Sequence, residues 1–379
     1  MKKLIKFLAI ILCLTLLSSF MLACGDKGDG GKGDGEPTYT PSEGLEIELN
    51  TSGEESFAIV KGVGTCTDSV IYLPETYQDV KVTAISSTAF MDVTSASKIV
   101  FSKNITSVYG ADDRHDDDNA FKNCTADVDM SLATEMTFIY HNIFRDFKGK
   151  SVILPPNITG LSSTVFLRSS ITSISIPASV TSIAYNCFQD CALLESVTFE
   201  SGSRLQYLGS GNGSAFMNCT SLAEITLPAG IIEYGWSIFS GCTTDVKWDG
   251  PITKLVGRDG DASIFSYYKK ETFVIPSTVT ELGEEVFYDC DCTYIVIPTA
   301  VTKIGKLAFG FNTTVDRDNL PVPYLLYAGN QAQWDAIEKD GKILYEEHTK
   351  VCFYNENPTE AGAWWKYDAN GKPQVQIID

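Results

Sequence analysis

The residues best suited to catalysis are few and scattered in this sequence. Its three histidines, His115, His141 and His348, lie far apart, and none belongs to a His-Glu-x-x-His pattern, which would place two zinc ligands on one helix face. A Gly-x-Ser-x-Gly pattern, typical of a nucleophilic serine on a sharp turn, is also absent. A Ser/His/Asp triad would have to combine residues that lie far apart in the sequence, and no motif indicates one. We therefore predict no catalytic residues, no bound metal and no cofactor.

The eleven cysteines could in principle form disulfides or bind zinc, but their spacing favours neither role. Five of them each follow a phenylalanine by three residues: Cys124, Cys191, Cys219, Cys242 and Cys290. No Cys-x-x-Cys pair of a structural zinc site is present, and the closest pair is Cys290-x-Cys292. A free cysteine behaves as a small buried hydrophobe. We predict reduced thiols in the core, with zinc or a disulfide between neighbouring repeats as the alternatives.

An acidic stretch, residues 112–119 (DDRHDDDN), carries carboxylate oxygens of the kind that bind Ca²⁺. It lacks the spaced ligands and the glycine of a defined calcium loop. A solvated acidic loop is the simpler interpretation. The formal net charge of −19 for the whole chain argues against nucleic-acid binding, which needs a basic surface, and against attraction to anionic lipid.

The stretch from Ser173 to Leu194 shows the unit around which the chain is organised. Ile174 and Ile176 flank one residue, a proline follows, and Phe188 comes twelve residues after Ile176. Ten such units recur, each with an apolar anchor residue and a later phenylalanine. The pairs are Leu73–Phe90, Phe101–Phe121, Met130–Phe144, Leu154–Phe166, Ile176–Phe188, Phe199–Phe216, Leu227–Phe239, Trp248–Phe265, Ile275–Phe287 and Ile297–Phe309. A recurring unit of this length is typical of a leucine-rich-repeat solenoid.

Each unit predicts two extended segments. The apolar alternation before the anchor has the period of a strand with one buried face, and proline, where present, then removes a ladder donor. A Val-Thr-x-Ile/Leu step, as in Val279 to Leu282, is rich in β-branched residues and predicts the second segment. No unit can bury its apolar face alone, so the coils must stack.

The repeat I-x-I-P-x-x-V-T-x-I-x-x-x-x-F-x-x-C-x-x-L resembles the BspA-type, or Treponema-pallidum-type, leucine-rich repeat. The opening at residues 62–74 and the ending with Gln333-Trp334 and Trp364-x-x-Tyr367 are similar to the ends of those proteins. The resemblance implies a leucine-rich-repeat solenoid of the α/β class, dominated by β-structure, with about ten repeats, an N-terminal hairpin cap and a C-terminal cap. It also implies a secreted or surface protein of gut or oral bacteria, in a family where a few members are implicated in adhesion and most have no assigned activity.

The N-terminal residues predict export and membrane anchoring. Residues 1–23 have a basic start and a short apolar run, as in a secretory signal peptide. Cys24 follows Met-Leu-Ala, which resembles a bacterial lipobox and implies lipidation of Cys24, whereas the alternative is an ordinary signal peptide with an incidental cysteine. Residues 24–44 are Gly-rich and predict a flexible linker. The lipid would be the link to the membrane, in an extracytoplasmic, surface-anchored bacterial lipoprotein.

The remaining segments divide into caps and repeats. Residues 45–70 predict an N-terminal cap that begins as a hairpin over Leu45 to Val63, and residues 71–321 contain the repeats. Residues 322–379 predict the C-terminal cap, with a strand at Leu325 to Tyr327 and a helix over Gln331 to Lys339 after Asn330 as its cap.

The outward-pointing residues of the first strands predict the binding surface, because the strand faces of solenoids form extended concave surfaces. The candidate binding residues are Tyr72, Asp129, Ser175, Thr198, Thr226, Lys247 and Tyr294. The competing interpretation, of equal weight, is that these residues reflect β-propensity alone.

Two functions follow from this surface. The first is adhesion to a protein ligand, either a host matrix protein or another cell surface. The second is capture of a glycan or peptide without catalysis, which predicts a compact exposed aromatic cluster drawn from Trp236, Trp248, Trp364 and Trp365.

Overall fold

The structure is a computed structural model that describes residues 39–378, apart from residues 52, 54, 109–118, 212, 258–262, 311–322 and 345–349. The proposed signal peptide, Cys24, most of the linker and all but the last residue of the acidic stretch 112–119 lie outside the described residues. Within the described ranges, no helix has the length and apolar character needed to cross a bilayer.

The N-terminal end is a hairpin, as the sequence predicts. β1 (Glu46–Asn50) and β2 (Phe57–Gly62) pair antiparallel. The side chains of Ile47 and Leu49 pack against the core, so the strand alternates between the core and solvent. β2 then pairs in parallel with a later strand of the repeats, which joins the hairpin to the solenoid.

One side of the solenoid consists of short parallel strands at the anchor positions, and we call them the anchor strands. In chain order they are β3 (Val70–Tyr72), β6 (Lys98–Val100), β8 (Asp127–Asp129), β9 (Val152–Ile153), β11 (Ser173–Ile176), β13 (Ser196–Phe199), β15 (Glu224–Leu227), β17 (Asp245–Trp248), β19 (Thr272–Val274), β21 (Tyr294–Ile297), β23 (Tyr324–Tyr327) and β25 (Val351–Tyr354). They carry the chain through about 11 turns of a β-solenoid, which confirms the predicted fold class.

A second row of strands contains the Val-Thr-x-Ile steps, as predicted. It comprises β4 (Thr76–Tyr77), β5 (Val80–Ile85), β7 (Ser107–Val108), β10 (Gly160–Leu161), β12 (Ser182–Ala184), β14 (Tyr207–Ser210), β16 (Glu233–Tyr234), β18 (Lys254–Leu255), β20 (Glu281–Leu282), β22 (Lys303–Ile304) and β24 (Glu338–Lys339). β4 and β5 are antiparallel, and the rest of the row is parallel. Among the described strands, the row is interrupted between β7 and β10 and again between β16 and β18.

The threonine of the Val-Thr step joins neighbouring coils through a shared carbonyl acceptor. The N–H of Thr181 donates to the carbonyl oxygen of Thr159 at 2.8 Å, and its Oγ1 donates to the same oxygen at 3.0 Å. Thr302 makes the same two bonds to Thr280 at 2.9 and 3.2 Å. Threonine therefore recurs here because its hydroxyl adds a second donor to each backbone bond between coils.

The repeat phenylalanines form a continuous stack through the core. Phe144, Phe166, Phe188 and Phe216 follow one another with ring centroids 5.1–5.2 Å apart and nearly parallel planes. The stack extends from Phe90 to Phe309 and includes all ten predicted positions. All ten rings are buried, and each except Phe90 and Phe309 at the ends lies between two others, so no coil can complete its core without its neighbours.

Left-handed residues flank most of these rings, two positions before and two positions after each phenylalanine. Around Phe188 they are Asn186 (φ 55) and Asp190 (φ 58), and around Phe216 they are Ser214 and Asn218 (both φ 58). Asn and Asp tolerate a positive φ better than other side chains. The two bends turn the chain sharply enough to place the ring inside the coil.

The C-terminal end adds a hairpin and one short helix. β26 (Gly362–Tyr367) pairs in parallel with β25 and antiparallel with β27 (Pro373–Ile378). The helix α1 (Gln331–Asp335) begins after Asn330, whose side chain accepts from the N–H of Gln333 in a capping box. The predicted cap is correct, but the predicted extent to Lys339 is wrong, because Glu338–Lys339 forms β24 and extends the second row of strands.

Candidate binding surface

Four of the seven candidate residues form one row on the outward-pointing side of the anchor strands, which we call the anchor face. Ser175 lies opposite Thr198, and Thr226 lies opposite Lys247. The strands that carry Thr198 and Thr226 are neighbours, so the row crosses four coils. All four residues are exposed, because alternate residues of a strand point to opposite faces.

A second row of hydroxyls lies beside the first. Ser151 pairs with Ser173, and Ser173 lies opposite Ser196. Together the two rows form what we call the hydroxyl stretch, composed of Ser151, Ser173, Ser175, Ser196, Thr198 and Thr226. No side chain of this stretch is charged, and each offers both a hydrogen-bond donor and an acceptor.

A shallow groove of about 370 Å³ opens at one end of the hydroxyl stretch. Ile153, which is 45% exposed, forms an apolar wall. Glu200 forms the opposite rim and accepts a hydrogen bond from the N–H of Ala178 at 3.1 Å. The groove therefore combines small hydroxyls, one aliphatic contact and one carboxylate.

Asp129 bridges coils on the N-terminal side of the hydroxyl stretch. Its carboxylate accepts from Lys98 Nζ at 2.7 Å and from the N–H and hydroxyl of Ser131 at 3.0 and 2.6 Å. Partial burial raises the pKa of Asp129, but these hydrogen bonds and the Lys98 charge outweigh it and hold the pKa below its ordinary value. Asp129 is half-buried and satisfied within the fold, which leaves little of it for a ligand.

Ion pairs between coils also border the C-terminal side of the stretch. Lys247 Nζ lies 2.7 Å from Glu224 Oε2 on the preceding coil, and Lys270 pairs with Asp245. The hydrogen bond that Lys247 donates to Glu224 raises the pKa of Lys247. Both groups of the Lys247 pair are more than half exposed, so the pair contributes little stability but cancels the local charge.

Tyr72 lies at the N-terminal end of the anchor face. Its N–H donates to Ser42 Oγ at 3.1 Å, and the N–H of Ser42 donates to the carbonyl oxygen of Tyr72 at 2.9 Å. Tyr72 is half-buried and separated from the hydroxyl stretch by the coils of β6 and β8. The structure does not bring Tyr72 together with Ser175.

Tyr294 lies at the other end, beside an apolar cluster on the outward side of the sheet. That cluster contains Val296, Leu326, Cys352 and Trp365, all buried, and Tyr294 packs against it. The Trp365 indole donates to the carbonyl oxygen of Tyr327 at 2.8 Å. The strand period alone places Val296 in solvent, and the indole of Trp365 covers it instead.

The position of Lys372 shows how the C-terminal hairpin reaches this cluster. Lys372 follows β26, which is four strands from β19 in the sheet, or about 19 Å at the usual strand spacing. Its Nζ nevertheless lies 3.4 Å from Glu271 Oε2, next to β19. The two side chains cannot span that distance along a flat sheet, so the hairpin bends back over the outward side of the last coils. The anchor face is open in the middle of the solenoid and partly covered at its C-terminal end.

The four tryptophans do not form one exposed cluster. Trp236 is 46% exposed, whereas Trp365 is 1% exposed within the cap. Trp248 is half-buried, and its Nε1 donates to the Tyr234 hydroxyl at 2.9 Å. Trp364 donates to the carbonyl oxygen of Glu360 at 3.0 Å.

The predicted burial of the five repeat cysteines in the core is confirmed. The thiols of Cys191 and Cys219 donate to the carbonyl oxygens of Phe166 and Phe188 on the preceding coils, at 2.9 and 3.1 Å. Burial raises the pKa of Cys191 to about 12. Neutral thiols suit this position because they can donate to a buried carbonyl, as the thiols of Cys191, Cys219 and Cys242 do. In the part of the chain that the structure describes, all cysteines are free, and no group of three His, Cys, Asp or Glu residues has metal-binding geometry.

His141 is the histidine that the structure describes. Its Nδ1 shares a hydrogen bond with Ser163 Oγ on the next coil. Ser163 is 2% exposed, so the contact joins two coils beneath the surface rather than presenting a nucleophile to solvent. His115 and His348 lie outside the described residues.

Sequence reasoning missed two contributors to the surface. Glu200 stands where other units have proline, as in Pro177, and that substitution was the available signal for a side chain that bonds the neighbouring backbone. The cover supplied by Trp365 had no signal, because it depends on how the terminal hairpin folds back.

Comparison with protein families gives one match. The family described as "BspA type Leucine rich repeat region" matches in six copies over residues 117–245 and 206–316, which together span more than half of the chain. A comparison with curated proteins found no match.

Solved structures with a similar chain trace come from several bacteria. A leucine-rich cell surface protein from Faecalibacterium prausnitzii A2-165 is 19% identical with a TM-score of 0.34, and the match covers 81% of this chain and 99% of that one. The pneumococcal vaccine antigen PcpA is 17% identical with a TM-score of 0.43, over 84% of this chain and 88% of that one. The leucine-rich-repeat protein of T. pallidum is 17% identical with a TM-score of 0.37, over 54% and 89%.

Proposed function

The chain belongs to the family with BspA-type leucine-rich repeats, and from that premise we propose that it is a non-catalytic protein-interaction module of a bacterial cell surface. The ligand is a protein, either of the host matrix or of another cell surface. It binds to the anchor face at the hydroxyl stretch. The observation that carries this proposal is the continuous uncharged row Ser175, Thr198 and Thr226, exposed between ion-paired flanks.

The chemistry of the hydroxyl stretch suits a polar, uncharged surface of a partner. Its side chains are short, so binding immobilises few rotatable bonds and costs little side-chain entropy. Lys98, Asp129, Glu224 and Lys247 are already paired across coils, so they give the partner little net charge to match. Ile153 supplies the aliphatic contact that a specific protein interface needs near its centre.

We also propose that lipidation of Cys24 anchors the protein and that residues 24–44 act as a tether. About twenty residues of Gly-rich chain span roughly 25 Å on average, which holds the solenoid away from the membrane. Cys24→Ala should abolish incorporation of radiolabelled fatty acid in the producing bacterium. Incorporation that persists in the variant would contradict the anchor.

The test of the binding face is a screen of the purified protein against immobilised extracellular-matrix proteins, repeated with two matched double variants. Thr198→Lys with Thr226→Lys places two charges in the hydroxyl stretch. Thr220→Lys with Thr243→Lys places the same charges at exposed residues outside the anchor strands. We expect the first pair to weaken binding at least about tenfold and the second pair to leave it unchanged. Equal binding by both variants would contradict the proposed face.

Capture of a glycan is the second candidate, and the exposure of Trp236 favours it. An exposed indole offers a flat apolar surface for a sugar ring, and 46% of Trp236 is accessible. Saturable binding of a polysaccharide that is lost in Trp236→Ala and retained in the Thr198/Thr226 double variant would support this alternative over the first.

A further inference from the structure

Glu200, on the rim of the groove beside Ile153, has no cationic partner among the described residues. Its Oε2 accepts from the N–H of Ala178 at 3.1 Å. The N–H of Arg204 donates to the carbonyl oxygen of Ala178, also at 3.1 Å, but the guanidinium of Arg204 makes no ion pair with Glu200. By contrast, three other acidic side chains of the anchor face are ion-paired across coils: Asp129, Glu224 and Asp245. The charge of Glu200 is therefore uncompensated.

Asp249 occupies the same position as Glu200 in a later unit and shows what the carboxylate does within the fold. Both residues directly follow an anchor residue, where the unit of Ile176 has Pro177. Asp249 Oδ1 accepts from the N–H of Ala229 on the preceding coil at 2.7 Å, as Glu200 does from Ala178. This bond needs one oxygen acceptor and no negative charge. The second carboxylate oxygen of Glu200 is therefore available to a ligand.

The groove connects the aliphatic side chain of Ile153 with the carboxylate of Glu200. Ser151 bridges to Ser173, so Ile153 lies level with Ser175 on the next coil. Ala178, which holds the carboxylate, follows Ser175 by three residues, at most about 11 Å along the chain. The groove therefore passes from an apolar wall to a negative charge over the length of one long side chain.

We propose that this groove binds a single basic side chain, a lysine or an arginine, that projects from the protein ligand. The proposal rests on the proposed function, because it takes the ligand to be a protein. The aliphatic stem of the basic side chain packs against Ile153, and its cationic head pairs with the free oxygen of Glu200. Serine hydroxyls along the groove accept hydrogen bonds from N–H donors that Glu200 leaves unpaired.

The chemistry of the groove favours a basic side chain over other ligands. Lysine and arginine combine an apolar stem with a charged end, and the groove combines the complementary surfaces in the same order. A bound Ca²⁺ would need several oxygen ligands, and no group of three His, Cys, Asp or Glu residues with metal-binding geometry occurs among the described residues. The formal net charge of −19 also favours the approach of a basic group.

The basic side chain would be one charged contact within an otherwise uncharged interface. Glu200 lies beside the hydroxyl stretch and is not part of it. The hydroxyls of Ser175, Thr198 and Thr226 still face uncharged groups of the partner. Because the other charges that border the stretch are paired, the position of Glu200 determines where the partner must carry its lysine or arginine.

The probe for this proposal is a phage-displayed library of random twelve-residue linear peptides, selected on the purified protein. Selected peptides are made synthetically, each also with its basic residue replaced by norleucine, and their affinities are measured. Glu200→Gln removes the charge and keeps an oxygen acceptor for the N–H of Ala178. Asp249→Asn makes the same change of charge at the matched position outside the groove. Both variants retain their bond to the preceding coil, so both should fold.

We expect the enriched peptides to share a lysine or arginine and to bind Glu200→Gln about fivefold more weakly than the wild type, because the ion pair is exposed to solvent. Asp249→Asn should bind them as the wild type does. The norleucine peptides should bind the wild type and Glu200→Gln equally, since the two changes remove the same contact. Peptides without a basic residue, or equal binding by Glu200→Gln and Asp249→Asn, would overturn the proposal.

The aliphatic contact has its own matched pair of variants. Ile153→Ser should weaken binding of the same peptides about threefold. Val274→Ser makes a similar change at an exposed residue in the corresponding position of β19 and should leave binding unchanged. Equal binding by these two variants would overturn the role of Ile153.

The screen of matrix proteins separates this proposal from the proposed function. If a matrix protein loses binding in the Thr198/Thr226 double variant but binds Glu200→Gln as it binds the wild type, the anchor face is supported and the basic side chain is overturned. If peptides bind through Glu200 but no protein ligand is found, the groove is supported and the proposed function is contradicted.

Discussion

Residues in left-handed conformation set the shape of each coil, and most of them are of suitable type. Thr164 is an exception, because a β-branched side chain at φ 60 is crowded against its own backbone. It occupies the position that Asn186 fills in the next unit. Threonine is therefore a conformationally unfavourable residue at this position, and the sequence alone does not show this.

We expect Thr164→Gly to stabilise the protein by about 0.5–1 kcal/mol, because glycine adopts a positive φ without strain. The matched change Thr159→Gly should destabilise it, because it removes the hydroxyl that donates to the carbonyl oxygen of Thr137 at 3.2 Å and adds backbone freedom to the unfolded chain. Urea unfolding of both variants measures the two effects. Destabilisation of similar size in both variants would contradict this account of Thr164.

The buried thiols predict a stability that depends on pH. Burial raises the pKa of Cys124 and Cys242 to about 11 and that of Cys191 to about 12, from 9.0 in the unfolded chain. A raised pKa contributes stability that is complete below about pH 9 and is lost as the pH rises through about 11–12. We therefore expect the free energy of unfolding to fall across this range.

A pair of variants isolates the contribution of one thiol. Cys191→Ala removes a titrating group, whereas Val180→Ala removes a buried apolar group of the same unit that does not titrate. With Cys191→Ala, the free energy of unfolding should fall less steeply between pH 9 and 11. With Val180→Ala, it should be lower at every pH, with the same slope. Parallel curves for the two variants would show that the thiol at Cys191 is not the cause.

The stacked rings are the elements that couple one coil to the next. Phe188 contacts Phe166 and Phe216 at 5.1 Å on both sides. Phe188→Ala removes both ring contacts and leaves a cavity, so it should lower the free energy of unfolding by about 3–5 kcal/mol. Phe138→Ala, at a half-buried ring outside the stack, should cost less than half as much. Denaturant unfolding that gave the same loss for both would contradict the coupling role of the stack.

The strands and rings of each coil could be predicted from the sequence, and their irregularities could not. Alternation of apolar residues is enough to identify β11 and β12, because burial of one strand face leaves a period of two. The interruption between β16 and β18 leaves no reliable trace. Ile232 stands where most units have threonine, but Gln206 does the same in the preceding unit, whose strand is paired on both sides. A mismatch between neighbouring coils depends on three-dimensional spacing, and a one-dimensional pattern does not record it.

At the scale of the whole molecule, the two terminal caps determine how much of the anchor face is exposed to a ligand. The middle of the face was predictable, because Ser175, Thr198 and Thr226 point outward by strand period alone and no element that the structure describes covers them. Tyr72 and Tyr294 have the same period but lie beside the caps, where Ser42 and the Trp365 cluster cover part of the surface. Contacts of a cap with distant coils, such as Lys372 with Glu271, have no signature in the repeat.

The most direct test of the central claim is hydrogen exchange of the complex with the protein ligand that the screen identifies, read residue by residue. The account predicts slower exchange in β11, β13 and β15 on binding, centred on Thr198, and unchanged exchange in β20 and β22 on the second row of strands. Protection confined to the second row, or to the C-terminal hairpin of β26 and β27, would show that the hydroxyl stretch is not the binding surface.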